Sequence, residues 1–192
     1  MDEKMIKAWA NKFLNYMEDI NNEADARNDK LGKIGEKFVR EGIELSLWES
    51  GYNFDPNLNG NYTFDILPYF GANENNVGGI DFYLRIKDGN IVYHFLIEVK
   101  NWAHYKNISD DIFKDEILDR FKKQDSSHDK FWILTMNKRN VFHILERCNK
   151  EGIFIIPIEE HLTTTDYINE GILQYTMTKF IDEFSRLLEV LM

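Results

Sequence analysis

The sequence predicts an α/β protein: a central mixed β-sheet flanked by helices, with extra helices at the N- and C-terminal ends. Three observations carry that class. Apolar residues at helical spacing open and close the chain. Two alternating runs split by Asp88-Gly89 mark a hairpin in its middle. Two continuously apolar runs, FWILTM at 131–136 and IFIIPI at 153–158, are separated by a helical stretch, as in sheets covered on both faces. The 192 residues are 43% apolar and 14% aromatic, enough for a substantial core.

The first element follows from Ile6, Trp9, Ala10, Phe13, Leu14, Met17 and Ile20, whose three-and-four spacing predicts an amphipathic helix. Residues 21–30 are polar and read as a linker. A second helix is expected over 31–50, with Ile34, Phe38, Leu45 and Trp48 along one side and Gly51 as its cap. The Asn- and Gly-rich stretch 53–78 holds one short strand around 62–67. Strands follow at 80–87 and 91–100, then a helix over 110–123 with Ser109 as N-cap. After the strand at 131–136, a helix over 139–150 is closed by Gly152. Following the strand at 153–158, the chain ends in a helix over 179–191. One domain is expected, its core at about 31–158, with a helix and linker over 1–30 and a terminal helix over 178–192.

Composition and motifs narrow the function classes. No run nears the ~18 apolar residues of a membrane span, and the start, MDEKMIKAW, lacks the apolar stretch of a signal peptide. Cys148 is alone, which excludes an internal disulfide framework and a cysteine-rich zinc site. The expectation is an intracellular, cytoplasmic protein without membrane association. There is no Gly-rich phosphate loop followed by Lys-Ser/Thr, no H-E-x-x-H and no G-x-S-x-G. His128, His143 and His161 are scattered, and Asp55, Asp65 and Asp88 read as turn residues.

The hairpin is where the pattern becomes chemistry. With Asp88 and Gly89 as central turn residues, Ile86 faces Ile91, Leu84 faces Tyr93 and Phe82 faces Phe95. The opposite face then carries Asp81, Tyr83 and Arg85 on one strand, and Val92, His94, Leu96, Glu98 and Lys100 on the other. Asp81 faces Leu96, so Glu98 is its diagonal neighbour at roughly 7–8 Å, and Lys100 is one step further. Strand parity alone gathers two acids and a lysine. The plain alternative is the solvated face of an edge hairpin. Against it, the run FLIEVKNW sets Glu98 and Lys100 among apolar residues, as on an inner strand where ionisable groups need partners or a metal. Gly78-Gly79 before Asp81 would allow a close approach. His94, with Tyr83 opposite, reads as a hydrogen-bonded structural residue.

Gly79-Ile80-Asp81 followed by Glu98-Val99-Lys100 resembles the D…ExK signature of the PD-(D/E)XK, restriction-endonuclease-like nucleases. Upstream, Gly32-Lys33-Ile34-Gly35-Glu36-Lys37-Phe38 and Gly51-Tyr52 are similar to the first helix of that superfamily's resolvase-like and Mrr-like branches. The resemblance spans about 31–158. Ile80 stands where the name-giving proline would be, and the 53–78 stretch is longer than in compact junction resolvases.

The resemblance implies a restriction-endonuclease-like α/β/α core and an endonuclease hydrolysing phosphodiester bonds in nucleic acid, DNA above all, in restriction, repair or junction resolution. It also implies a homodimer. Asp81, Glu98 and the Val99 carbonyl would hold Mg²⁺ or, in its place, Mn²⁺, with Glu36 as a further ligand. Lys100 would position the attacking water and stabilise the charge of the transition state. Hard oxygen donors suit such cations. Gln124 resembles a glutamine that touches the site in several branches, and reads equally as an ordinary solvated helix-end residue. Lys33, Lys37 and Arg40 on the second helix, and Lys114, Arg120, Lys122 and Lys123 on the third, are candidate phosphate contacts. Trp102, His104, Tyr105 and Lys106 could meet a nucleotide, with core packing the favoured alternative for Trp102.

The net charge of −10 opposes this, because nucleic-acid binders gain affinity by presenting cations to phosphates. A non-catalytic, nucleic-acid- or protein-binding member of the same fold therefore stands beside the enzyme, as does an unrelated α/β domain.

Overall fold

A computed structural model of the protein describes residues 2–23, 27–68, 79–102, 108–125, 127–163 and 168–192, the side chains of Asn28 and Pro68 excepted. Its elements are α1 (Glu3–Asn22), α2 (Arg27–Glu49), β1 (Asn53–Phe54), β2 (Tyr62–Pro68), β3 (Phe82–Asp88), β4 (Ile91–Lys100) and α3 (Asp110–Phe113). A π-helical turn (Lys114–Leu118) leads into α4 (Asp119–Gln124), followed by β5 (Phe131–Asn137), α5 (Lys138–Val141), α6 (Leu145–Glu151), β6 (Ile153–Ile158) and α7 (Glu170–Leu191). The six strands form one mixed sheet in sequence order. β2, β3 and β4 are antiparallel neighbours, whereas β1 pairs β2, and β5 pairs β4 and β6, in parallel. The molecule is thus α/β with helices on both sides of a mixed sheet.

Alternation on the strands builds the two faces. Phe82, Leu84, Ile86, Phe95, Ile97 and Val99 point to one side, where they share a core with Phe13, Phe38, Met177 and Phe180 of α1, α2 and α7. Leu96, Trp132, Leu134 and Met136 point to the other, against Phe113, Ile117, Phe121 and Cys148. α1 and α7 are therefore part of the larger core.

Several element boundaries differ from the sequence reading. α2 starts at Arg27 and takes in the last four residues of the expected linker, while α1 takes in the first two; residues 24–26 lie outside the described ones. α7 starts at Glu170, capped by Asn169, whose side chain accepts from the Ile172 amide. The helix expected over 139–150 is two helices, because Ile144 leaves helical geometry at φ −128 to enter the core. β1 was not expected. Asp65 is no turn residue: it lies buried in β2, paired with Arg85 at 2.5 Å.

The hairpin register is also corrected. Gly89 and Asn90 are the central turn residues, and Gly89 supplies the positive φ of +59 that a two-residue loop needs at its first position. Ile86 faces Tyr93, Leu84 faces Phe95 and Phe82 faces Ile97, a slip of two from the expected pairing. A slip of two preserves which face each side chain takes, whereas a slip of one would reverse it.

α2 lies on β4 because Gly35 has no side chain. A Cβ there would stand 2.7 Å from Cβ of Asn101 and 3.4 Å from Val99 Cγ1. Asn101 ties the same helix down, donating from Nδ2 to the carbonyls of Leu31 and Leu162. Gly35→Ala is accordingly expected to cost about 1–3 kcal/mol by overpacking, seen as a lower urea midpoint. An unchanged midpoint would mean that the helix shifts freely on the strand.

Candidate active site

β4 runs between β3 and β5, so FLIEVKNW does supply an inner strand. The last rung of the hairpin pairs Phe82 with Ile97, and the next step brings Asp81 level with Glu98. The pairing expected from the sequence makes them diagonal neighbours; the observed register places them closer. The Val99 amide donates to Asp81 Oδ2 at 2.6 Å, which fixes the acid at the end of the strand. Glu98 has no accessible surface and Lys100 is 7% exposed.

Burying a carboxylate demands compensation. At Glu98 it comes from two cations on one oxygen. Lys100 Nζ donates to Oε1, and Arg120 Nη1 donates to the same atom at 2.8 Å. Arg120 also reaches the Gly79 carbonyl at 3.3 Å. Lys100 Nζ lies 5.6 Å from the centre of the Trp102 ring, within the range of a cation–π contact. Glu98 Oε2 is buried with no hydrogen-bond partner among the described residues. Burial, and then the charge of Asp81, push the Glu98 carboxyl up and Lys100 and Arg120 pull it down, which leaves it at about 7. Asp81 is raised by burial and lowered by Lys100, the Val99 amide and Arg120.

Glu36 joins this cluster from the opposite helical layer. It is half-buried on α2, one residue past the Gly35 contact. Burial, and then Asp81, raise its carboxyl and Lys100 lowers it, which leaves it at about 7. That mutual influence places the three acids and Lys100 in one electrostatic unit.

The other sequence candidates are distributed differently. Lys33 pairs with Glu23, Lys37 with Glu41, Arg40 with Glu44 and Lys122 with Glu151, at 2.7–3.2 Å. Lys114 and Lys123 are exposed, and Gln124 ends α4 half-buried. Arg120, expected among the phosphate contacts, is the second cation on Glu98. His104, Tyr105, Lys106 and Gly78 lie outside the described residues. Tyr83 and His94 do bond, through the hydroxyl and Nδ1 at 2.5 Å, but diagonally, because Arg85 stands opposite His94. Asn101, which the sequence reading missed, secures α2 beside the site; only its position next to Lys100 could have signalled it.

The donor set is hard oxygen throughout, and the orphaned Oε2 of Glu98 is the kind of atom a divalent cation would satisfy. These residues fit such an ion. Among the described residues, however, no three His, Cys, Asp or Glu side chains form a ready-made metal cage. Also among them, no helix is long and apolar enough to cross a membrane. No family model, curated protein or solved structure matches the chain.

The glutamate shifts have a signed consequence. Glu36 and Glu98 titrate at about 7 when folded, against an ordinary 4.5. The folded state therefore holds extra protons between those values. That stability is fully present below about pH 4.5 and is lost as the pH rises through about 7. Glu36→Gln removes one such loss. Its stability relative to wild type, without metal, is expected to rise by about 1–2 kcal/mol from pH 5 to pH 8, discounted for partial exposure. Urea unfolding of both proteins across that range checks it, and a pH-independent difference would contradict the coupling.

Proposed function

We propose that this chain is a divalent-metal-dependent endonuclease of the PD-(D/E)XK, restriction-endonuclease-like kind, hydrolysing phosphodiester bonds in DNA. The observation that carries the reading is that Asp81, just ahead of β3 and bonded to the Val99 amide, lies beside Glu98 of β4, with Lys100 on the Glu98 carboxylate. The α/β/α layering, and a glutamate brought to the cluster by the helix before the sheet, support it.

On this reading Asp81, Glu98, the Val99 carbonyl and Glu36 hold Mg²⁺, with Mn²⁺ able to replace it. When bound, the ion supplies Lewis-acid polarisation of a phosphoryl oxygen. The chain's own residues supply the rest. The Val99 amide occupies Asp81 Oδ2 and fixes the carboxylate's orientation. Lys100 is a compact point charge that orients the attacking water and offsets the negative charge that builds on the phosphate. The water oxygen bonds to phosphorus, one ester oxygen leaves, and the water's proton passes to solvent or to the leaving oxygen. One site per subunit and two strands to cut suit a two-fold homodimer.

A second reading, a non-catalytic nucleic-acid- or protein-binding member of the fold, is favoured by one observation. The cations of α2 that would face phosphates are paired within the chain. A cleavage assay on plasmid, single-stranded and four-way-junction DNA separates the two. Cutting is expected with Mg²⁺ or Mn²⁺, abolished by EDTA and lowered about 100-fold or more by Lys100→Ala. DNA binding without cutting would favour the second reading, and cutting untouched by Lys100→Ala would sink the mechanism.

A further inference from the structure

The two cations on Glu98 are not equivalent. Lys100 comes from the same strand two residues on, and its side chain is 9% exposed. Arg120 reaches in from α4, in the first turn after the π-helical segment, and its side chain is 27% exposed. A long side chain anchored on a different layer, partly open to solvent, can withdraw without disturbing the sheet. Lys100 cannot do so, confined as it is between Glu98 and the Trp102 ring.

Charge balance points the same way. Among the described residues, with Asp81, Glu98 and Glu36 ionised, three carboxylates face two cations, leaving one negative charge. A divalent ion would overshoot to one positive charge, and departure of Arg120 would restore neutrality. The guanidinium also spans both arms of the site, since its Nη1 touches Glu98 on β4 and the Gly79 carbonyl just ahead of Asp81. An ion shared by Asp81 and Glu98 would compete with it for the same carboxylate.

Resting on the hydrolase reading, we propose that Arg120 is an exchangeable counter-ion. It neutralises Glu98 when no divalent cation is bound and leaves that carboxylate when one binds, which frees its guanidinium for the phosphate backbone. Arg120 therefore opposes metal loading in the free protein, and by reciprocity bound metal weakens its hold on Glu98.

The test is Mn²⁺ affinity of the full chain without DNA, read from the EPR signal of free Mn²⁺, for wild type, Arg120→Lys and Arg120→Gln. Losing a charge-assisted hydrogen bond that competes with the ion should tighten binding about tenfold in Arg120→Gln. Arg120→Lys keeps the charge but falls short of Gly79, so about two- to threefold is expected. Without metal, Arg120→Gln should melt below wild type, and Mn²⁺ should raise its Tm by more than it raises that of wild type. Equal affinities across the series, or weaker binding by Arg120→Gln, would overturn the exchange while leaving the hydrolase reading intact. Should the glutamine variant not fold, the lysine variant decides: affinity at or below wild type overturns the proposal. A wild-type chain that binds no Mn²⁺ would overturn both.

Discussion

Glu98 sits on an inner strand with no accessible surface, so its charge depends entirely on what the protein sets against it. An isolated buried carboxylate would pay several kcal/mol in lost hydration even after relaxation. Lys100 and Arg120 offset part of that, and neighbouring Asp81 adds to it, which is why the carboxyl ends up near 7. Removing either cation leaves a buried charge short of partners; removing Glu98 strands Lys100. The cluster is therefore held as a unit, and the elements that deliver its members must hold their positions.

Those elements come from all three layers. β3 and β4 deliver Asp81, Glu98 and Lys100 from the sheet; α4 delivers Arg120 from one face, α2 Glu36 from the other. The second delivery relies on an absent side chain, because Gly35 lets α2 settle against Asn101 and Val99. Asn101 then fastens the Leu31 and Leu162 carbonyls, so the residue after Lys100 fixes both the helix bearing Glu36 and the segment after β6. Packing and polar contacts here serve the same geometry. A loose α2 would leave Asp81 and Glu98 without their third acid.

Much of this was legible in the sequence, for reasons tied to particular residues. Period-two alternation in 80–100 identifies the hairpin and its two faces, because parity survives a register error of two. The turn itself was misread: Asp88-Gly89 and Gly89-Asn90 both satisfy turn chemistry, and only the sheet's further pairing with β2 separates them. The FLIEVKNW run correctly signals an inner strand, since solvated edges do not carry so many apolar residues. Arg120 is legible as a cation but not as a partner of Glu98, because the two stand 22 positions apart on different elements and only the packing of α4 on the sheet brings them together. Asp65 failed differently. A lone acid in an Asn-rich stretch looks like a turn residue until Arg85, twenty positions away, is seen beside it.

The acidic balance takes on a more specific meaning beside this geometry. The pairs made by Lys33, Lys37, Arg40 and Lys122 are partly exposed, and pairs open to solvent contribute about 0–1 kcal/mol each. A phosphate could draw those cations away at little cost, so their pairing does not disqualify these helices as a nucleic-acid face. Their carboxylate partners stay nearby, however, and would repel the same phosphate. Affinity for a polyanion would then rest less on the surface than on charge concentrated at Asp81, Glu98 and Glu36. On the proposed reading, a divalent ion is what reverses the sign of that spot: acids that repel phosphate in the free protein hold the cation that attracts it.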